Sequence, residues 1–265
     1  MFALSNILVP VVFSRRCAWA ARHAASIAAA TRAHVVFLNV NEEGATERLK
    51  NFVSREVQTI SHRCVVVDGD PAERIVELAR DYEADLIVMP TYNARFRAFL
   101  LGSVTAKVLH DADCPVMTGV HRYDDSPEIP PAYNEVLCAL DNASGCVPVL
   151  RWAQGIAAKL GAHLDVVHAL PAVDEVSENC GEREVRRYLM AKTARDFATR
   201  LAEEPQAVEV ELRGGPVDQV VREAALSKRA NLVVIGRGHA DRLLGRLRTQ
   251  TYAIIRDSPC PVISV

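Results

Sequence analysis

The chain has 265 residues, of which 49 % are hydrophobic and 24 % charged, with 13 Gly and 13 Pro. That composition excludes a disordered, collagenous or fibrous protein, and at roughly 150 residues per domain the length indicates two domains. A formal net charge of -2, from 31 basic against 33 acidic side chains, speaks against nucleic acid or an anionic membrane as a partner.

In chain order, short β-branched runs alternate with helical stretches. An apolar run from Ile7 leads into a helix over 18–31, then the strand VVFLNV from Val35 and a helix over 46–60. A strand carrying His62 and Cys64 precedes a helix over 72–82, the strand IVMP from Ile87, a helix over 104–110 and the strand VMTGV from Val116. The same order returns with VLCAL from Val136, helices over 147–160, 182–203, 217–229 and 250–256, and the strands LVVIG from Leu232 and VISV from Val262. Continuous apolar runs between helices are the pattern of parallel strands covered on both faces, so each half reads as a doubly wound sheet with right-handed crossovers.

The halves are copies. Asp85 to Val116 lies over Asn231 to Val262 without a gap at an offset of 146, and Cys114-Pro115-Val116 falls on Cys260-Pro261-Val262. At the front, Ile7 to Cys17 lies over Val136 to Cys146 at an offset of 129, so 17 extra residues sit in the second copy, expected just before its long second helix. The expected division is a first domain over 1–120, a linker over 121–134 rich in proline and acids, and a second domain over 135–265.

No run of about 18 apolar residues predicts a membrane span, and the start MFALSNILVPVVF lacks the basic flank of a secretory signal. A cytoplasmic protein is expected. The seven cysteines, with no C-x-x-C pair, fit reduced thiols. Cys114 and Cys260, each before a proline, read as small buried hydrophobes. His62 and Cys64 share one side of a strand, which fits a half-buried edge better than a zinc site, and no metal site is predicted. His34 and His163 hold equivalent positions and suggest a shared role at the start of the second strand.

Ligands of open parallel sheets collect at the carboxyl ends of the strands where their order reverses, here the first and fourth strands of each copy. The segments LLGSVTAKVLHDADCPV and GRLRTQTYAIIRDSPCPV, each after a strand such as DLIVM or NLVVI, together with the openings NILVPVVFS and VLCALDNAS, resemble the universal stress protein family. The resemblance implies a tandem member: two five-stranded α/β domains of the adenine nucleotide alpha hydrolase type, joined as an intramolecular pseudo-dimer through VMTGV and VISV. Nucleotide-binding members of the family carry an aspartate after the first strand and a phosphate loop of the form G-x-x-G, later G-[ST]. Glycine lets backbone N–H groups approach the anion, and the hydroxyl sits at a helix start.

By that resemblance the first copy has lost most of the set. Val12 stands at the aspartate position, Pro90 and Asn93 at the glycines, and only Gly102-Ser103 is intact, so Asn93, Gly102 and Ser103 outline a vestigial pocket. The second copy keeps Asp141 and Gly236, has His239 beside Gly238 at the second glycine, and replaces Gly-Ser by Arg248-Thr249. Arg237, Arg242 and Arg246 face a single acid, Asp241, in the same loop, a balance that favours a polyphosphate. Arg248 offers a bidentate guanidinium, while its stem fills space that glycine leaves open. The expected nucleotide residues are therefore Asp141, Gly236, Arg237, Gly238, His239, Arg248 and Thr249, and the expected ligand is ATP, with Mg as its companion and no other metal. His168, at the end of the second strand, lies where it lines this pocket or simply forms its wall.

No S-G-G-x-D-S turn, H-x-G-H element, nucleophile elbow or Walker loop occurs, so no catalytic residue is assigned and the chain is not read as an enzyme. The expectation is a stress-response binding protein with an unidentified protein partner and room for further homodimer formation. The alternative is a nucleotide-independent interaction scaffold with both pockets closed.

Overall fold

The computed structural model describes residues 2–40, 44–57, 60–91, 102–119, 132–142, 145–171, 180–237 and 246–265. Contacts divide the chain into two compact units, Met1–Tyr133 with Pro261–Val265, and Asn134–Cys260.

The first unit contains β1 (Asn6–Pro10), α1 (Arg15–Thr31), β2 (His34–Val40), α2 (Ala45–Glu56), β3 (His62–Val67), α3 (Pro71–Asp81), β4 (Leu86–Met89), α4 (Ser103–Asp111) and β5 (Val116–Thr118). From the far end of the chain it also takes β10 (Val262–Ser264). Its strand order is β3-β2-β1-β4-β5-β10. All pairings are parallel except the last, where Val262, Ile263 and Ser264 oppose Thr118, Met117 and Val116. The segment at Val262, expected in the second domain, thus pairs with the segment at Val116 inside the first unit.

The second unit runs β6 (Glu135–Ala139), α5 (Cys146–Leu160), β7 (His163–Leu170), α6 (Cys180–Arg200), β8 (Val210–Gly214), α7 (Val217–Ser227), β9 (Leu232–Ile235) and α8 (Arg246–Asp257). Its parallel order is β9-β6-β7-β8. In both units the first strand lies between the second and the fourth, so the order reverses there. LIVM of β4 and LVVI of β9 are buried at every position, which places helices on both faces of each sheet.

Local chemistry shifts the helix starts from those expected. Ser14 Oγ accepts the Cys17 N–H at 3.3 Å, so α1 begins at Arg15 rather than at 18. Asp70 caps α3 by accepting from Glu73 N at 3.0 Å, with Pro71 at the first helical position. The insertion of the second copy does not all precede the second helix. Much of it lengthens that helix, since α6 has 21 residues against 12 in α2.

Other expectations change in detail. Tyr133, read from sequence as linker, is 2 % exposed and shares a hydrogen bond with Nδ1 of His23, which stacks on Trp19 at 4.1 Å. His34 and His163 open β2 and β7 in the same way, their N–H groups donating to the Ser5 and Asn134 carbonyls at 2.7 and 2.8 Å, but their side chains differ: Nδ1 of His34 meets Ser61 Oγ at 2.8 Å, whereas Nε2 of His163 faces Asp165 at 3.7 Å. Cys260 is buried, but Cys114 is only partly so. His62 and Cys64 do lie on the edge strand β3. Among the described residues no helix is long and apolar enough to cross a membrane.

Candidate functional site

A cavity of about 210 Å³ opens in the second unit at the carboxyl ends of β6, β7 and β9. Ala139, Leu140 and Asp141 come from the end of β6, His168 and Ala169 from β7, and Ile235 and Gly236 from β9. The remaining wall is helical apart from Pro171, which follows β7. Val217 and Val221 of α7 and Gln250, Thr251 and Ile254 of α8 close it. The turn into α7 depends on Gly215, whose φ of 120° is strained for any L side chain and whose N–H is held by the Leu170 carbonyl at 3.2 Å.

The walls are mostly aliphatic, and the polar groups are few. Asp141 is exposed at the mouth. His168 is half-buried, its Nδ1 2.7 Å from the Leu140 carbonyl and its ring edge-on to Phe197 of α6 at 5.0 Å. Burial lowers the His168 pKa, and the Leu140 hydrogen bond and the charge of Asp141 oppose that shift. The ring is therefore neutral at and above neutral pH. A carbonyl only accepts, so the proton sits on Nδ1 and the lone pair on Nε2.

The long helix α6 braces the loop after β6. Arg200 Nε donates to Asn142 Oδ1 at 3.1 Å, and Asn142 Nδ2 donates to Asp196 Oδ2 at 3.4 Å. Phe197, 3 % exposed, lies between these two on the helix and backs His168. These α6 contacts fix both the Asp141 loop and the histidine.

Of the residues expected to bind nucleotide, Asp141 and Gly236 line the cavity. Arg237 follows Gly236 and is half-buried. Gly238 and His239 lie outside the described residues. Arg248 and Thr249 fall in the first turn of α8, and their side chains lie outside the described part. In the first unit Asn93 is likewise outside, Gly102 is the N-cap of α4 without a side-chain cap bond, and Ser103 is the first residue of that helix. Val12, at the position matching Asp141, is 65 % exposed.

Sequence reasoning missed Val217, Val221, Gln250, Thr251 and Ile254. Only the last three carried any signal, as residues aligned with the helix that follows the phosphate loop.

At the opposite end of the second sheet, Glu135, His163 and Asp165 bring one potential ligand atom each to within 4.8 Å of one another. Lys228 Nζ already lies 3.0 Å from Asp165, and its ammonium competes with any cation there.

The model of the universal stress protein family matches residues 45–118 and 132–265. A universal stress protein of Methanothermobacter thermautotrophicus is 40 % identical over 67 residues, which are 25 % of this chain. The chain spans under half, 46 %, of that protein's length. A universal stress protein of Thermus aquaticus is 30 % identical over 140 residues, covering 50 % of this chain and 98 % of that one. The crystal structure of a universal stress protein from Archaeoglobus fulgidus superposes with a TM-score of 0.68 at 18 % identity, covering 99 % of this chain and 96 % of the other. That likeness is one of fold.

Proposed function

The chain belongs to the universal stress protein family, and on that footing we propose that its second unit binds an adenine nucleotide, ATP with an accompanying Mg ion, as a non-catalytic cytoplasmic stress-response protein. The observation that carries this reading is the position of the cavity. Asp141 and Gly236 stand at the ends of the adjacent strands β6 and β9, where the strand order reverses and where open α/β sheets hold their ligands. At about 210 Å³ the cavity is smaller than the roughly 300–1,000 Å³ of a pocket for a whole drug-sized ligand, so it suits the ring end of a nucleotide. The phosphates then run toward the start of α8, where the helix dipole and the arginine-rich sequence favour an anion. The first unit, with Val12 for aspartate and Pro90 lacking an N–H, is read as vestigial.

Thermal unfolding of the full chain with ATP, with and without Mg, tests the proposal. A ligand that binds only the native state adds about 2.7 kcal/mol at a hundredfold excess over Kd. Asp141→Ala and Arg248→Gly are expected to reduce the rise in midpoint, and Ser103→Ala to leave it unchanged. An unmoved midpoint overturns the proposal in favour of the interaction scaffold. Loss of the rise in Ser103→Ala alone moves the site to the first unit.

A further inference from the structure

The amino end of the second sheet carries a donor set that the first unit lacks. Glu135 and His163 are register partners in the parallel pair β6 and β7, and Asp165 lies two residues beyond His163. Alternate residues of a strand share a face, so all three side chains rise from the same side of the sheet. They bring a ring nitrogen and two carboxylate oxygens to within 4.8 Å of one another. At the matching positions of the first unit, 129 residues earlier, stand Asn6, His34 and Val36, with Asn6 and His34 again in register. The histidine is thus common to both copies, and the two carboxylates are peculiar to the second.

Ion pairing within the fold accounts for only part of this set. Lys228 Nζ donates to Asp165 Oδ1 at 3.0 Å and reaches Glu211 Oε2 at 3.5 Å. Asp165 Oδ2 is left facing His163 Nε2 at 3.7 Å. Asn231 holds the backbone N–H of Glu135 at 3.2 Å, while the Glu135 carboxylate has no ion pair or hydrogen bond among the described residues. A gap of 3.7 Å is too long for a hydrogen bond. It is close to the spacing of two donors on one ion, since atoms about 2.0–2.1 Å from a tetrahedral zinc stand about 3.3–3.4 Å apart. The long side chain of Glu135 can close the remaining distance by a change of rotamer.

We infer that Glu135, His163 and Asp165 bind a zinc ion, through the imidazole Nε2 and one oxygen of each carboxylate, with water completing the shell. An imidazole donor and a small protein ligand set favour zinc over calcium or magnesium, which prefer larger shells made of oxygen alone. Lys228 keeps Oδ1 of Asp165 and the ion takes Oδ2, so the ammonium opposes the ion by repulsion without blocking it. Glu135 is the first residue of β6, and a bound ion ties it to β7, fastening the point where the chain enters the second sheet.

The test is titration calorimetry of the full, metal-free chain with zinc in the absence of nucleotide, with calcium and magnesium in parallel. Zinc is expected to bind, and more tightly than either of the others. His163→Ala and Glu135→Gln are each expected to weaken zinc binding at least about tenfold. Lys228→Met removes the competing ammonium and is expected to tighten it several-fold. Should a variant fail to fold, proton NMR of the native chain with cobalt in place of zinc decides: the paramagnetic ion must broaden the His163 ring signals ahead of those of the other histidines. Unchanged zinc affinity in His163→Ala, a preference for calcium or magnesium, or broadening that spares His163 overturns the inference. So does zinc binding that occurs only after Lys228→Met, or in no variant at all.

Discussion

Arg32 and Gly161 close the first helices of the two units in one backbone conformation, with φ of 64° and 66°. In each, the N–H of this residue bonds back to a carbonyl of the preceding turn, Ala28 for Arg32 and Ala157 and Ala158 for Gly161. A left-handed residue with a Cβ is strained where glycine is not. Arg32→Gly is therefore expected to stabilise the first unit by about 0.5–1 kcal/mol, and Gly161→Arg to destabilise the second by a similar amount, as read by urea denaturation. No gain in Arg32→Gly means that the arginine side chain supplies a compensating contact.

Stability should fall in acid through His23. Burial lowers its pKa from 6.5 to about 4, so between those values the unfolded chain takes up a proton that the folded chain refuses. The stabilisation is complete above pH 6.5 and declines as pH falls toward 4, by about 3 kcal/mol in all. His23→Phe is expected to flatten the pH profile of urea midpoints in that window. Tyr133→Phe leaves the histidine without its buried partner and is expected to cost about 1–3 kcal/mol.

Thiol reagents should discriminate among the described cysteines. Burial pushes the Cys260 thiol up to about 12 and raises those of Cys138, Cys146 and Cys64 as well, so access to the sulfur rather than acidity separates Cys64 from the others. Thiolate is the reacting form. Peptide mapping after iodoacetamide treatment at mildly alkaline pH is expected to find Cys64 and Cys114, both partly exposed, modified before Cys17, Cys138, Cys146 and Cys260. Early modification of Cys260 contradicts the packing at the entry to β10.

Arg200→Ala removes the bond from α6 to Asn142 without touching the cavity wall. Such an exposed change should alter stability by no more than about 0.5 kcal/mol, yet loosen the Asp141 loop. Nucleotide affinity is expected to drop several-fold with the unfolding midpoint of the free protein nearly unchanged. Equal affinity in calorimetry shows that the loop holds its shape unaided.

The doubled architecture was legible because the constraints themselves repeat. Asp85 accepts from Ser5 and Asn6 N–H at the start of β1, and its counterpart Asn231 accepts from Glu135 N at the start of β6. Glu83 and Arg229, one offset apart, both take positive φ. Asp141, Gly236 and His168 were visible because strand ends at an order reversal point toward a ligand. The aliphatic wall was not, since Val217 and Val221 carry no chemical mark and reach the cavity only through the turn at Gly215. The bracing by Asp196, Phe197 and Arg200 was equally hidden: it comes from α6, whose side chains there differ in kind from those of its counterpart α2, so the repeat carried no mark of it.

Thr118 Oγ1 donates to the Val262 carbonyl at 3.3 Å across a sequence separation of 144 residues. During synthesis the ribosome delivers β5 long before residues 261–265 emerge. Until then the nascent first unit displays an unsatisfied strand margin, the kind of surface that recruits stray chains. Translation speed through the second unit, and chaperone cover during it, thereby set how often the earlier half reaches its finished state.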